Sequence, residues 1–257
     1  MVVEICVDSL EAAITAASGG ADRIELCSDL MEGGITPSAG LIRMVRSAVA
    51  IDVFVMIRPR GGDSVYSARE METMEADIAE AKRLGANGVV LGVLGGDGRV
   101  DVARTQRLVK LAAPMEVTFH RAFDMTPDLE QACEDAIAAG ARRILTSGGK
   151  QTAYMGAEQI ARLVKRTRER IGIMAASGIN AQNAAQLIGA TGVTELHASL
   201  RRRAASPAIY RNNGVSMGAR KNAEFVRYEL READVRALRE TVNSAVGVTA
   251  GAGNSVQ

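Results

Sequence analysis

The 257-residue chain is 47% hydrophobic and carries 31 basic against 30 acidic side chains. That is enough apolar material for one sizeable core, and the near balance of charge gives no field to hold nucleic acid or an anionic membrane. The partner classes left are a small molecule or another protein.

Glu4 interrupts the opening apolar run, unlike the basic-then-apolar layout of a leader, and no apolar run approaches the roughly 18 residues that span a bilayer. Cys6, Cys27 and Cys133 are too few and too scattered for a disulfide framework, so a reducing cytosol is the expected compartment.

In chain order, strand-like runs are expected at 2–6, 23–27, 53–57, 88–94, 115–119, 143–146, 172–175 and 193–197. Between them, stretches such as 70–84, 102–112, 129–139 and 156–170 space apolar residues three and four apart, as amphipathic helices do. Strict alternation implies parallel strands with right-handed crossovers, and eight units in this length imply a single-domain (β/α)8 barrel, class α/β. The barrel is expected over 1–246, a last helix over 222–244 and a disordered tail over 247–257.

Gly20-Ala-Asp-Arg-Ile-Glu-Leu, Gly85-Ala-Asn-Gly-Val-Val-Leu and Gly140-Ala-Arg-Arg-Ile-Leu-Thr repeat one helix-stop, turn and strand pattern, with Gly189-Ala-Thr-Gly-Val-Thr-Glu-Leu as a fourth copy bearing one insertion. These glycines read as left-handed helix ends, not phosphate loops.

Alternate strand residues share a face. Glu4 with Cys6, Glu25 with Cys27, Met56 with Arg58, Thr118 with His120, and Glu195 with His197 form the inward set, because the residues between them are apolar and suit the helices outside. Buried charges cost several kcal/mol each when unpaired, so the set implies a site at the carboxyl ends of the strands. Glu4, Glu25, Arg58, His120, Glu195 and His197 are the candidate catalytic groups.

Around them, Arg58-Pro-Arg60-Gly-Gly-Asp63 offers forked donors for carboxylate or phosphate. Arg121, Asp124 and Ser199 flank the two histidines. Ser147-Gly148 and Ser177-Gly178 put backbone N–H groups at the rim, where this fold often holds phosphate. Ser38 reads as a helix cap. Cys6 and Cys27 end adjacent strands about 5 Å apart, which suits either a soft ion such as Cu(I) or two small buried hydrophobes. Cys133 reads as core. No zinc spacing and no organic cofactor motif is present.

Glu4-Ile-Cys6, the run from Gly19 to Cys27, Glu32 to Ser38, Ile57 to Asp63, Val117 to Asp124, Leu145 to Gly148 and Arg211 to Gly218 together resemble the CutC family of copper-homeostasis proteins, in order over about 2–240. The resemblance implies a cytosolic barrel forming a homodimer or larger homo-oligomer, with Cys6 and Cys27 as Cu(I) ligands; to these the first reading adds Met56 as a thioether neighbour. The sequence departs at Ser64, where many relatives carry an aromatic residue. A second reading is an enzyme in which the glutamates and histidines move protons and Arg58 and Arg60 clamp a small anion. A third, a scaffold acting only through protein partners, leaves the inward charges unexplained.

Overall fold

The computed structural model describes residues 1–167, 170–212, 214–217 and 223–252. Its strands and helices alternate along the chain: β1 (Val2–Val7), α1 (Leu10–Ser18), β2 (Arg23–Leu26), α2 (Ala39–Ala48), β3 (Asp52–Met56), α3 (Ala68–Arg83), β4 (Gly88–Leu91), α4 (Val102–Ala112), β5 (Glu116–Phe119), α5 (Leu129–Ala139), β6 (Arg143–Thr146), α6 (Ala157–Thr167), β7 (Gly172–Ala176), α7 (Ala184–Thr191) and β8 (Glu195–Ala198). The eight strands are all parallel and close in sequence order, β8 pairing back onto β1. This is the expected (β/α)8 barrel.

Two sets of buried residues follow from the strand alternation. Outward residues such as Ile5, Ile24, Val55 and Phe119 join helix residues such as Met74, Leu108 and Ile160 in the main core between sheet and helices. Two smaller clusters lie within the barrel itself, Cys6, Cys27, Phe54, Met56 and Val90 in one and Leu145, Met174 and Ala176 in the other. Cys133 is fully buried in the main core, as expected.

Helix ends carry the expected chemistry. Ser38 accepts from the Leu41 N–H at 3.1 Å and caps α2. Gly20, Gly85 and Gly140 have φ of 90°, 82° and 87°, in the left-handed region that favours glycine. In the fourth repeat the residue in this conformation is Gly192, three before β8 as Gly20 is three before β2. The repeat therefore starts at Gly192 and needs no insertion.

The chain after β8 departs from expectation. Where a helix from residue 222 was expected, an antiparallel hairpin pairs β9 (Arg202–Ala205) with β10 (Val226–Glu229). The last helix, α8, spans Glu232–Ala252 and so runs past 247 into the expected tail, while 253–257 lie outside the described residues. No helix among the described residues is long and apolar enough to cross a membrane.

Candidate metal centre in the barrel mouth

Strand register sets the depth of each inward side chain. Glu4 is level with Arg23 on β2 and His197 on β8, while Glu195 is level with Val2 at the amino end of β1. Glu195 therefore does not join the mouth. It receives Arg23 Nη2 at 2.5 Å and Arg143 Nε at 3.1 Å. Arg143 also donates to Glu116 and to Thr118 Oγ1, and both guanidiniums lie over the Phe54 ring, 4.8 and 4.9 Å from its centroid. Together these residues close the amino end of the barrel with paired charge.

Arg23 and Arg143 were absent from the sequence-derived set. Their signal was present, since each lies two residues before an inward position, but an arginine opening a strand reads as solvated.

One step toward the carboxyl end, Glu4 accepts from Arg23 Nε and lies 2.7 Å from His197 Nδ1. Burial pushes the Glu4 carboxyl up, but Arg23 and His197 outweigh it and hold its pKa at about 2. Burial likewise opposes the charge on His197, yet Glu25, the Cys6 hydrogen bond and Glu4 raise its pKa well above the usual value. The imidazole is a cation between two carboxylates, and its Nε2 stands 3.9 Å from Glu25 Oε2.

Glu25 links this pair to the thiols. Cys6 Sγ donates to Glu25 Oε2 at 3.0 Å, Cys27 Sγ lies 3.6 Å from the same oxygen, and the two sulfurs are 3.9 Å apart. Burial raises the Glu25 pKa against the opposing pull of His197, and its Oε1 is buried without a partner. Hydrogen bonding with Cys27 and burial push the Cys6 thiol well up, and burial pushes Cys27 to about 12. Both thiols are protonated at neutral pH.

Among the described residues two donor triads could hold an ion: Cys6, Glu25 and Cys27; and Glu4, Glu25 and His197. In the second, Glu4 is already committed to Arg23. In the first, two sulfurs each about 2.3 Å from a shared ion would stand about 3.8 to 4.0 Å apart in tetrahedral or trigonal geometry. The 3.9 Å observed meets that spacing, and Met56 packs in the same cluster.

His120 lies apart, immediately after β5. Its Nδ1 accepts from the Ala122 N–H at 3.1 Å, which puts the ring hydrogen on Nε2, and Nε2 is buried without a partner. Burial, helped by the charge of Arg58, lowers its pKa to about 4. It is a neutral donor.

The expected anion-binding groups are bound to the chain itself. Arg58 spends its guanidinium on the carbonyls of Glu32, Gly34 and Gly62 at 2.7 to 3.0 Å, tying the loops after β2 and β3 together. Arg60 holds Glu70, Asp63 and the carbonyl of Val65, so both Arg60 and Asp63 brace the start of α3. Neither arginine forms the expected clamp. Ser64 is buried in this loop.

The nest after β6 is filled by Asp124, which accepts from the N–H groups of Ser147 and Gly149 and from Arg121 Nε, all within 3.1 Å. The Gly148 N–H goes to Thr146 Oγ1. An external phosphate would have to displace the chain's own carboxylate. Ser177 and Gly178 bind Gln151 and Asn183, and Ser199 accepts from Arg201.

The CutC family model matches residues 1–202. This chain belongs to the CutC family. A family protein CutC of Chromobacterium violaceum is 48% identical over 244 residues, covering 95% of this chain and 99% of that protein. The human copper homeostasis protein cutC homolog is 46% identical over 242 residues, 94% of this chain and 88% of the relative. The crystal structure of a copper homeostasis protein CutC from Streptococcus agalactiae superposes with a TM-score of 0.73 at 33% identity, covering 77% of this chain and 97% of that one. Thiamine phosphate pyrophosphorylase from Pyrococcus furiosus, at 17% identity and a TM-score of 0.59 over 95% of this chain and 96% of its own, shares the fold alone. The matched family region ends at β9, so β10 and α8 lie beyond it.

Proposed function

We propose that this CutC family member serves copper homeostasis by binding Cu(I) as cargo between Cys6 and Cys27 in the reducing cytosol. The observation that carries this reading is the 3.9 Å separation of two buried, reduced sulfurs, since paired thiolates select a soft monovalent ion over the hard cations that carboxylates prefer. Met56 and Glu25 border the pair and offer a third ligand for trigonal binding. Burial keeps water from competing for the metal. The test is competition with a chromophoric Cu(I) chelator: Cys6→Ala with Cys27→Ala loses high-affinity binding, and an unchanged affinity would eliminate the pair.

The homo-oligomer belongs to the same proposal. Ile209, Tyr210, Val215 and Met217, close in sequence beyond β9, each expose an apolar side chain, a composition suited to a dimer contact. Light scattering of the wild-type chain beside Ile209→Glu with Tyr210→Glu distinguishes dimer from monomer.

An acid–base enzyme on a small anionic metabolite is the second reading, favoured by the partnerless Glu25 Oε1 and His120 Nε2. Catalytic roles for Glu4, Glu25, His120 and His197 belong to it. A screen of sugar phosphates and organic acids for saturable binding tests it, and binding to none of them removes its support.

A further inference from the structure

The carboxyl end of β1, the start of α1 and strand β10 enclose a cavity of about 490 Å³, with Cys6, Asp8, Glu11, Arg201, Arg227 and Glu229 in its lining. That size suits a small organic molecule. Cys6 belongs both to this lining and to the thiol pair, whereas Cys27 is fully buried behind it.

The charges of the lining narrow the ligand. Arg201 is committed to Asp8, 3.3 Å away, and to Ser199, and it stacks over Tyr228. Glu229 accepts from Arg231 at 3.1 Å. Arg227 and Glu11 are exposed, and neither forms an ion pair or side-chain hydrogen bond among the described residues. Arg227 and Glu11 are thus the lining cation and anion that no other side chain of the described residues occupies. A bare metal ion has no use for Arg227, and a simple anion meets Glu11.

We propose that this cavity binds a low-molecular-weight thiol bearing both carboxylate and ammonium groups, which delivers Cu(I) to Cys6. The inference rests on the Cu(I) reading above. In the exchange, the bond from copper to the carrier sulfur breaks and a bond from copper to Cys6 Sγ forms. The Cys6 proton passes to the departing carrier sulfur. Copper stays Cu(I) and no electrons move. Cys6 receives the metal first because it lines the cavity, and Cys27, 3.9 Å from it, completes the site as its proton passes to a second departing carrier sulfur or to solvent.

The probe is the Cu(I) complex of glutathione, mixed rapidly with the metal-free full chain. The transfer rate is expected to saturate with complex concentration, and Arg227→Glu to raise the half-saturation concentration about tenfold or more without altering equilibrium Cu(I) affinity. S-methylglutathione, which lacks the thiolate and is supplied free of metal, is expected to bind the wild-type chain in calorimetry and Arg227→Glu more weakly. A transfer rate that rises linearly and equally in both proteins, with no S-methylglutathione binding, would overturn the cavity assignment while leaving the thiol pair intact. Loss of the copper reading itself shows separately, as unchanged Cu(I) affinity in the double cysteine variant.

Discussion

Glu4 and His197, 193 residues apart in sequence, meet at 2.7 Å across the seam where the last strand closes on the first. Arg23 holds the other carboxylate oxygen, so one buried anion fixes two cations from neighbouring strands. Glu4→Gln removes the anion the two cations share, leaving Arg23 to Glu195 and His197 to Glu25, and breaking a buried ion pair in this way costs about 3 to 5 kcal/mol. Urea unfolding checks it, and a loss under about 1 kcal/mol would show that the network does not hold the seam.

Beneath that network the barrel interior is tightly filled where Gly88 faces Phe54. A Cβ on Gly88 would come 2.4 Å from the Phe54 ring, and two guanidiniums overlie that ring. Gly88→Ala is therefore expected to destabilise by about 1 to 3 kcal/mol through overpacking, seen as an earlier urea midpoint with an unchanged slope. Near-neutral stability would mean that the ring can swing aside.

Asp124 accounts for the closed nest after β6. Asp124→Ala frees the N–H groups of Ser147 and Gly149 and costs about 3 kcal/mol for lost charge-assisted hydrogen bonds. Phosphate should then raise the melting temperature of the variant relative to chloride at equal ionic strength, and leave the parent unmoved. Equal shifts in both would show that the nest was never the anion's place.

These residues also show what the sequence carries. The period-two pattern was enough to turn Glu4, Cys6, Glu25, Cys27 and His197 inward, because every outward neighbour is apolar and one face of each strand had to meet the helices. Depth was hidden: whether Glu195 lies at the mouth or the far end depends on the stagger of strands around the closed barrel, which no single strand encodes. Partner choice was hidden too. Arg58 and Asp124 have the chemistry to hold a ligand, but loops distant in sequence present them with carbonyls and N–H groups first. The charge spacing of Val226–Glu229 resembles a helix start, and only pairing with β9 makes it a strand.

His120 gives a pH dependence of defined sign. Its pKa falls from about 6.5 unfolded to about 4 in the folded chain, so between these values the unfolded state binds more protons. The associated stability is complete above pH 6.5 and is lost as pH falls toward 4, by about 3 kcal/mol in all. His120→Gln keeps an N–H donor and removes the titration, so its stability curve should be flatter than the parent's across that window. Parallel curves would show that protons reach the imidazole in the native state.

The thiols set the opposite end of the pH scale. Cys27 is pushed up to about 12 by burial with Glu25 adding to it, and Cys6 is raised by its contact with Cys27 and by burial. Metal ligation needs thiolates, so each Cu(I) ion bound must displace the protons both sulfurs carry at neutral pH. Affinity is expected to climb with pH through the neutral range, by about tenfold per unit for each proton released. Replacing Glu25 by Gln removes the anion that disfavours the thiolates, but also the nearest oxygen to both sulfurs, 3.0 and 3.6 Å away. If Glu25 only repels thiolate, Glu25→Gln binds Cu(I) more tightly at neutral pH; if it ligates, binding weakens. A Cu(I) affinity that stays flat with pH in the wild-type chain would mean that the metal does not bind through Cys6 and Cys27.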